Sequence, residues 1–336
     1  MSYDVITIGD AMKDTFLFPA LDEMREPVEG AVLGYKEKKD KYLVFGYGDK
    51  ITISETYESI GGSACNVAIG LARLGLKTAI LSAVGKDEYG AEIEENFKKE
   101  KVATTYLKTY TSRKTSFSII ISYKGERSIL VRHNFEPNDF IVPKGLDTSW
   151  LYVGPLGQDY RSVYSKITGL ASENNINIAL NPGSVQIHDG LGAFGALLKV
   201  TKVLFLNKEE ATLVLGESNL TTVKEMALRL KKEGPEIVVL TDGQNGAYVC
   251  YEGEFLKVGV YPGARIESTG AGDGFAAGFL AGLGKNEDML TSLKWGVTNS
   301  ASVVGKYGAQ QGLLKLTTLQ KKVKEYRWPA DSMRYS

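Results

Sequence analysis

From Trp150 onward the chain alternates short apolar runs with helix-length amphipathic stretches, and that alternation admits few folds. The pattern predicts strands at 150–153, 176–180, 202–206, 236–241 and 246–250, and helices at 160–174 and 221–233. A long helix over 274–283 and another near 290–305 close the unit. Strands that alternate with helices pair in parallel through helical crossovers. The first half obeys the same grammar. Val5-Ile-Thr-Ile8, stopped by Gly9, reads as a buried strand leading to a loop. A helix over Ala64–Leu74 closed by Gly75, a strand over Thr78–Val84 and a helix over Glu88–Glu100 follow. The expected fold class is α/β, a doubly wound, mostly parallel sheet flanked by helices.

Two segments depart from this alternation. Residues 19–57 carry Pro19, Pro27 and the charged run Lys36–Lys41, then turn β-rich at Tyr42-Leu-Val-Phe45 and Ile51-Thr-Ile53. Residues 115–132 are also β-rich, with Phe117–Ile121, a Lys124-Gly125 turn and Ser128–Val131. Strands without helices between them predict a small antiparallel unit standing off the main sheet. A lid formed by about 15–60 and 110–135 is the expected arrangement. The last residues, 329–336, read as an exposed tail.

Composition narrows the partners. Lys+Arg and Asp+Glu number 40 each, so no bulk charge favours nucleic acid or an anionic membrane. The N-terminus, Met-Ser-Tyr-Asp-Val-Ile-Thr-Ile, lacks the pattern of a signal peptide. No apolar run reaches the ~20 residues of a membrane span. Cys65 and Cys250 sit in no metal-ligand spacing and read as reduced core thiols. A cytoplasmic protein is expected.

The chemistry concentrates in Glu267-Ser-Thr-Gly-Ala-Gly-Asp-Gly-Phe275. A glycine-rich turn that opens a helix aims backbone N–H groups at one spot and adds the positive end of the helix dipole. The same turn carries a carboxylate, Asp273. An anion hole made by the backbone of Gly270, Ala271, Gly272 and Asp273 beside that acid suits transfer of an anionic group to a hydroxyl that the acid deprotonates. Upstream, Gly61-Gly-Ser-Ala-Cys-Asn66 offers two glycines that permit close backbone approach, and an amide suited to a vicinal hydroxyl pair. Neither Gly-x-Gly-x-x-Gly after the first strand nor a Gly-x-x-x-x-Gly-Lys-Ser/Thr loop occurs. The oxidoreductase reading fails at its defining loop, and phosphate must be held by the 269–273 turn.

The paired stretches Gly61-Gly-Ser-Ala-Cys-Asn-Val-Ala…Ala-Arg-Leu-Gly75 and Ser268-Thr-Gly-Ala-Gly-Asp-Gly-Phe275 resemble the two signatures of the PfkB carbohydrate kinases, within the ribokinase-like superfamily. The resemblance spans roughly residues 3–315 and implies one kinase domain over 1–328. It implies ATP-dependent phosphorylation of a hydroxymethyl group on a small sugar, with Asp273 as general base. Asp14 matches the acid that grips sugar hydroxyls, in a loop after the first strand, with Asp10 as neighbouring candidate; Gly61, Gly62 and Asn66 complete the substrate set. Asn207 and Glu210 match the family's Asn-x-x-Glu, which organises Mg²⁺ largely through water. Thr241, Gly243 and Gly246 fall in a nucleotide loop, and Asn299 and Gly305–Ala309 resemble the segments flanking adenine. Glu267 stands where relatives commonly carry Asp beside a monovalent-cation site, which leaves K⁺ dependence open. Arg113, Lys114, Arg127, Arg132 and His133 are candidates for an anionic group on the substrate, and Tyr106, Phe117, Tyr123 and Phe135 for a base. The alternatives are a nucleoside kinase and a non-catalytic sugar- or nucleotide-binding protein on the same fold. Pairing through lid strands implies a possible homodimer.

Overall fold

The structure, a computed structural model, describes residues 2–20, 47, 48, 50–123, 126–216 and 222–329. The chain opens with β1 (Tyr3–Ile8), β2 (Met12–Pro19) and β3 (Ile53–Gly61), followed by α1 (Ser63–Arg73), β4 (Thr78–Gly85) and α2 (Glu88–Lys99). Next come β5 (Ala103–Tyr110), β6 (Phe117–Tyr123), β7 (Glu126–Arg132), β8 (Thr148–Val153), α3 (Tyr160–Asn174) and β9 (Asn177–Leu180). Two short helices, α4 (Ser184–Asp189) and α5 (Gly195–Leu198), precede β10 (Thr201–Asn207), α6 (Lys208–Leu215), α7 (Val223–Lys231) and β11 (Ile237–Thr241). The order ends with β12 (Ala247–Tyr251), β13 (Glu254–Val258), α8 (Ala271–Gly284), α9 (Met289–Val303) and α10 (Leu316–Glu325).

The main sheet has nine strands in the order β13-β12-β11-β10-β9-β8-β1-β4-β5. Every pairing from β11 to β5 is parallel, and β12 and β13 add antiparallel at one edge. The chain winds outward from β1 through β4 and β5, then restarts at β8 and winds the other way. That reversal between β1 and β8 opens a crevice at the carboxyl ends of the strands. Helices cover both faces. Apolar side chains of α3, α6 and α7 bury one face, and those of α1, α8 and α9 bury the other.

The lid sheet has the order β3-β2-β6-β7. Its first strand departs from expectation. Residues 12–14, expected in a loop, belong to β2, so the chain passes almost directly from main sheet to lid. Lys13 and Asp14 look like solvated residues in sequence but are both buried here. Lys13 binds Glu58 at 3.2 Å and Glu92 at 2.6 Å. β5, β13, α6 and α10 were also missing from the sequence pattern. β5 and β13 are edge strands, so their half-polar composition hides the strand period. The expected strand at 42–45, the charged run 36–41, the 124–125 turn and residues 330–336 lie outside the described residues. β3 begins at Ile53, where the expected 51–53 strand ends.

The small residues of α8 serve packing. A Cβ at Gly278 would lie 2.5 Å from the Trp295 carbonyl, one at Gly282 2.5 Å from Ser292, and one at Gly70 2.6 Å from Ala277. α9 therefore presses against the backbone of α8 at Gly278 and Gly282, and Ala277 of α8 presses against the backbone of α1 at Gly70. This close fit sets the positions of the first turns of α1 and α8, which carry the candidate site.

Candidate active site

α8 starts three residues earlier than the periodicity predicts. Gly270 is its N-cap, at φ 77°, and Asp273 lies in the first helical turn. Gly270 is required twice over, since a Cβ there would also meet Ala309 at 2.4 Å. The Ala271 amide is taken by the Ser268 carbonyl at 3.2 Å. Among the described residues the amides of Gly270, Gly272 and Asp273 carry no protein partner. The expected four-residue anion hole therefore reduces to these three donors. Gly272 is exposed, and nothing lies within 4 Å of where its Cβ would be. Its bare backbone faces open space.

Asp273 is held from both sides. Ser63 Oγ donates to Oδ1 at 2.6 Å and Asn66 Nδ2 donates to Oδ2 at 2.8 Å. Burial pushes the Asp273 carboxyl above the usual carboxylate range, against the pull of these two donors. Desolvation penalises the charged form, so a raised value marks a carboxylate ready to take a proton. Asn66 was expected to meet substrate hydroxyls. Here its Nδ2 is on Asp273 and its Oδ1 accepts from Gln310 Nε2 at 3.0 Å. The motif's amide is thus spent on orienting the acid.

Gly61 and Gly62 were expected to admit a ligand. The atoms they make room for belong to the protein. A Cβ at Gly61 would lie 1.8 Å from Asp14 Oδ2, and one at Gly62 2.1 Å from the Asp10 carbonyl, with Gly62 at φ 95°. Asp14 is 6% exposed and accepts from Ser118 Oγ at 2.6 Å. Burial, with smaller contributions from Asp273 and Glu267, raises its carboxyl to about 6. Asp10 pairs with His133 Nδ1 at 2.8 Å, and this bond lifts the imidazole above its ordinary value.

A cleft of about 340 Å³ opens beside Asp273 at the carboxyl ends of β9, β10 and β11. Asn207, Glu210, Thr241, Gly243, Ala271 and Gly272 all line it. Asn207 and Glu210 form a capping box on α6. Asn207 Oδ1 accepts from the Glu210 amide and Glu210 Oε2 from the Asn207 amide, both at 2.8 Å. The motif's spacing has a local cause, the N-terminus of a helix. It leaves Glu210 Oε1 and Asn207 Nδ2 for the cleft. Burial raises the Glu210 carboxyl, and the Asn207 amide opposes it. Among the described residues no three His, Cys, Asp or Glu converge as a metal site. Asp242 turns to Lys208 (3.4 Å) and Asn245 (3.1 Å).

Two expected nucleotide contacts lie elsewhere. Gly246 does not line the cleft; at φ 93° its missing Cβ clears the Val258 carbonyl by design of the β12–β13 edge, where it would lie at 2.1 Å. Asn299 is fully buried, donates to the Gly274 carbonyl at 2.7 Å and accepts from the Leu314 amide at 3.0 Å. It ties α8 to the 310–314 segment.

The lid cations divide. Arg127, on β7, reaches the turn before α8, contacts the Ser268 hydroxyl and lies 3.7 Å from Glu267 Oε1. Arg113 pairs with Asp139 beneath the Tyr110 and Phe135 rings, and Arg132 with Asn134. Of the aromatic candidates, Phe135 is buried and Tyr106 packs on Tyr3, while Phe117 is 37% exposed; the Tyr123 side chain lies outside the described residues. Sequence reasoning missed Tyr152, Asn181 and Gln310. None belongs to a motif, and only the fold brings them to the site. Both cysteines are free and buried, as expected.

Known proteins resemble this chain. A sugar kinase of Archaeoglobus fulgidus, described only as uncharacterized, is 29% identical over 255 residues, covering 73% of this chain and 98% of that protein. Haemophilus influenzae ribokinase is 25% identical over 276 residues, covering 79% and 88%. Among solved structures, the Methanocaldococcus jannaschii nucleoside kinase has a TM-score of 0.77 at 20% identity, over 97% of this chain and 100% of that one. Arabidopsis thaliana ribokinase with ribose and ATP has the same TM-score at 18% identity and the same coverage. At these identities the solved structures establish the ribokinase fold. The family model described as pfkB family carbohydrate kinase matches residues 31–316, and the chain belongs to that family.

Proposed function

We propose that this chain, acting over about 1–328 as one kinase domain, transfers the γ-phosphoryl group of ATP to a hydroxymethyl group of a small sugar. The observation that carries the reading is Asp273, a doubly held carboxylate of raised proton affinity in the same helical turn as the unpartnered amides of Gly270, Gly272 and Asp273. The substrate O–H proton passes to Asp273 as the oxygen attacks phosphorus and the bond to the β-phosphate oxygen breaks. The free amides meet the charge that grows on the transferring group. Asp14, ionised, accepts from sugar hydroxyls by charge-assisted bonds. Thr241 and Gly243 line the donor's side of the cleft, and Arg127 brings a lid-borne cation to the same turn.

Glu210 keeps one carboxylate oxygen toward the cleft, which fits Mg²⁺, an ion that prefers oxygen ligands and retains water. Bound there with the donor's phosphates, Mg²⁺ would neutralise their charge. Glu267 fits a monovalent cation such as K⁺ on different grounds. It is 7% exposed, its Oε1 is occupied by Thr269, and its Oε2 is buried without a partner.

The sugar reading is preferred because two of the aromatic candidates for stacking a base, Tyr106 and Phe135, are used in packing. No helix among the described residues is long and apolar enough to cross a membrane. The test is ADP release from ATP and Mg²⁺ with a panel of sugars and nucleosides, in K⁺ and in Na⁺ buffers. Turnover with a sugar acceptor is expected. Turnover with nucleosides alone gives the nucleoside-kinase reading, and ligand binding without turnover gives the binding-protein reading.

A further inference from the structure

Tyr152 is fully buried, yet its hydroxyl touches the site from behind. It lies 3.1 Å from Ser63 Oγ and donates to Asn181 Oδ1 at 3.1 Å. Asn181 cannot turn freely, because its Nδ2 donates to the Phe205 carbonyl at 3.2 Å. Its oxygen therefore faces Tyr152 as an acceptor. On the other side of Asp273, Asn66 is equally fixed. Gln310 donates to Asn66 Oδ1 and to the Ile60 carbonyl at 2.9 Å, and accepts from Asn96 Nδ2 at 3.1 Å. The Asn66 amide can only donate to Oδ2.

The two oxygens of Asp273 thus differ. Oδ2 faces a donor that cannot reverse. Oδ1 faces a hydroxyl, which can donate or accept. The proton count on the Oδ1 side is informative. Asp273, Ser63, Tyr152 and Asn181 are linked by three contacts. With Asp273 ionised, Ser63 and Tyr152 supply two protons, one short of the number of contacts. A proton on Oδ1 lets every contact hold one: Asp273 donates to Ser63, Ser63 to Tyr152, and Tyr152 to Asn181.

We infer that Ser63 and Tyr152 form a reversible hydroxyl pair that positions Asp273 in both charge states, Ser63 donating to the carboxylate and turning to donate to Tyr152 once Asp273 holds the substrate proton. Both act through Asp273 and are positioning residues. The inference rests on the base role of Asp273. In phosphoryl transfer the proton leaves the substrate oxygen as the new P–O bond forms, and it needs a stable resting place until product leaves. Asp273 supplies one, and the pair accommodates the proton without a further ionisable group, since neither hydroxyl changes its charge. The other titratable groups, which feel the charge of Asp273, are Asp14 on β2, Glu210 on α6, the Cys65 thiol on α1 and the Tyr152 phenol itself.

The test reads the proton directly and needs no acceptor. The Asp273 side-chain carboxyl carbon is titrated by ¹³C NMR in the full-length protein, assigned by its loss in Asp273→Asn. Ser63→Ala removes a donor to the ionised form and moves the titration to higher pH by about one unit, the equivalent of one charge-assisted bond. Tyr152→Phe removes the acceptor that Ser63 needs when Asp273 is protonated, and moves it to lower pH. Ser63→Thr keeps the hydroxyl and restores the wild-type midpoint. Opposite shifts establish the pair. Shifts of the same sign, or none in Tyr152→Phe, overturn it. Phosphoryl transfer by Asp273→Asn in the ATP and Mg²⁺ panel would instead sink the base role, whatever the titrations show.

Discussion

At the scale of single residues, two carboxylates divide the work. Asp273 is hydrogen-bonded on both oxygens and follows Ala271 and Gly272, which line the cleft. Asp273→Asn keeps the partners of Oδ1 and Oδ2 in reach and should fold. Its turnover in the ADP-release assay should fall by about 10²–10⁴, the usual worth of a general base. Asp14 carries a cost of its own. Its carboxyl is raised from 3.8 to about 6, so the fold favours the protonated form. The associated stability is present below pH ~4 and is lost as pH rises through about 6. At neutral pH the ionised group costs about 3 kcal/mol, two units at about 1.4 each. Asp14→Asn should therefore raise the Tm at pH 7.5 by about 4 °C, an advantage that disappears below pH ~4. The same change should raise KM for the acceptor about 10–100-fold through loss of charge-assisted bonds. Melting curves across pH, beside KM, check both halves; a lower Tm at pH 7.5 would show that the charge itself holds the lid root together.

At the scale of elements, α8 combines two uses of glycine that sequence does not distinguish. Gly278 lies against the Trp295 carbonyl, whereas Gly272 faces nothing but the cleft. Gly278→Ala should overpack the α8–α9 contact and lower stability by about 1–3 kcal/mol. Gly272→Ala should leave stability unchanged or raise it by up to about 1 kcal/mol, because its helical backbone accepts a Cβ. Yet it should impair turnover, since the Cβ enters the space of the phosphoryl group. Urea melts and initial rates on the two variants separate these uses. Equal destabilisation would mean that the first turn of α8 is packed by something other than α9. The helix α6 makes a similar point. Its Asn207–Glu210 capping box is a helix signal as much as a site motif, and the strand before it decides that both residues face the cleft.

At the scale of the molecule, the lid grows out of the main sheet at β2 and ends in the edge strand β7. That strand exposes Ile129, Leu130 and Val131, at 48%, 59% and 47%. Among the described residues this edge has no further strand partner, and exposed apolar side chains there suit pairing with another sheet. Pairing of two lids in a homodimer would cover them. Light scattering after size exclusion should give twice the mass of the chain, and Leu130→Asp should return it to one; a monomeric wild-type protein would remove the idea.

Much of this architecture was legible in advance. Buried parallel strands are apolar throughout, so β1, β4, β8, β10 and β11 announce themselves, and α3 was placed to the residue. β2 did not, because Lys13 and Asp14 gain their partners only from Glu92, Glu58 and Ser118, far along the chain. The motif residues Asp14, Asn66, Asn207, Glu210, Thr241, Gly243 and Gly270–Asp273 could be named from the chain alone. The family and its fold class follow from their order. What each does was decided in three dimensions. Gly61 clears Asp14 rather than a ligand, Asn66 orients Asp273, and Arg127 lies at the turn before α8. Tyr152, Asn181 and Gln310 entered the site with no motif to mark them. Local sequence carries the backbone demands of turns, caps and strand periods, because neighbouring residues impose them. Hydrogen-bond partners from distant segments become neighbours only when β1 and β8 pair and α1 and α8 pack over them.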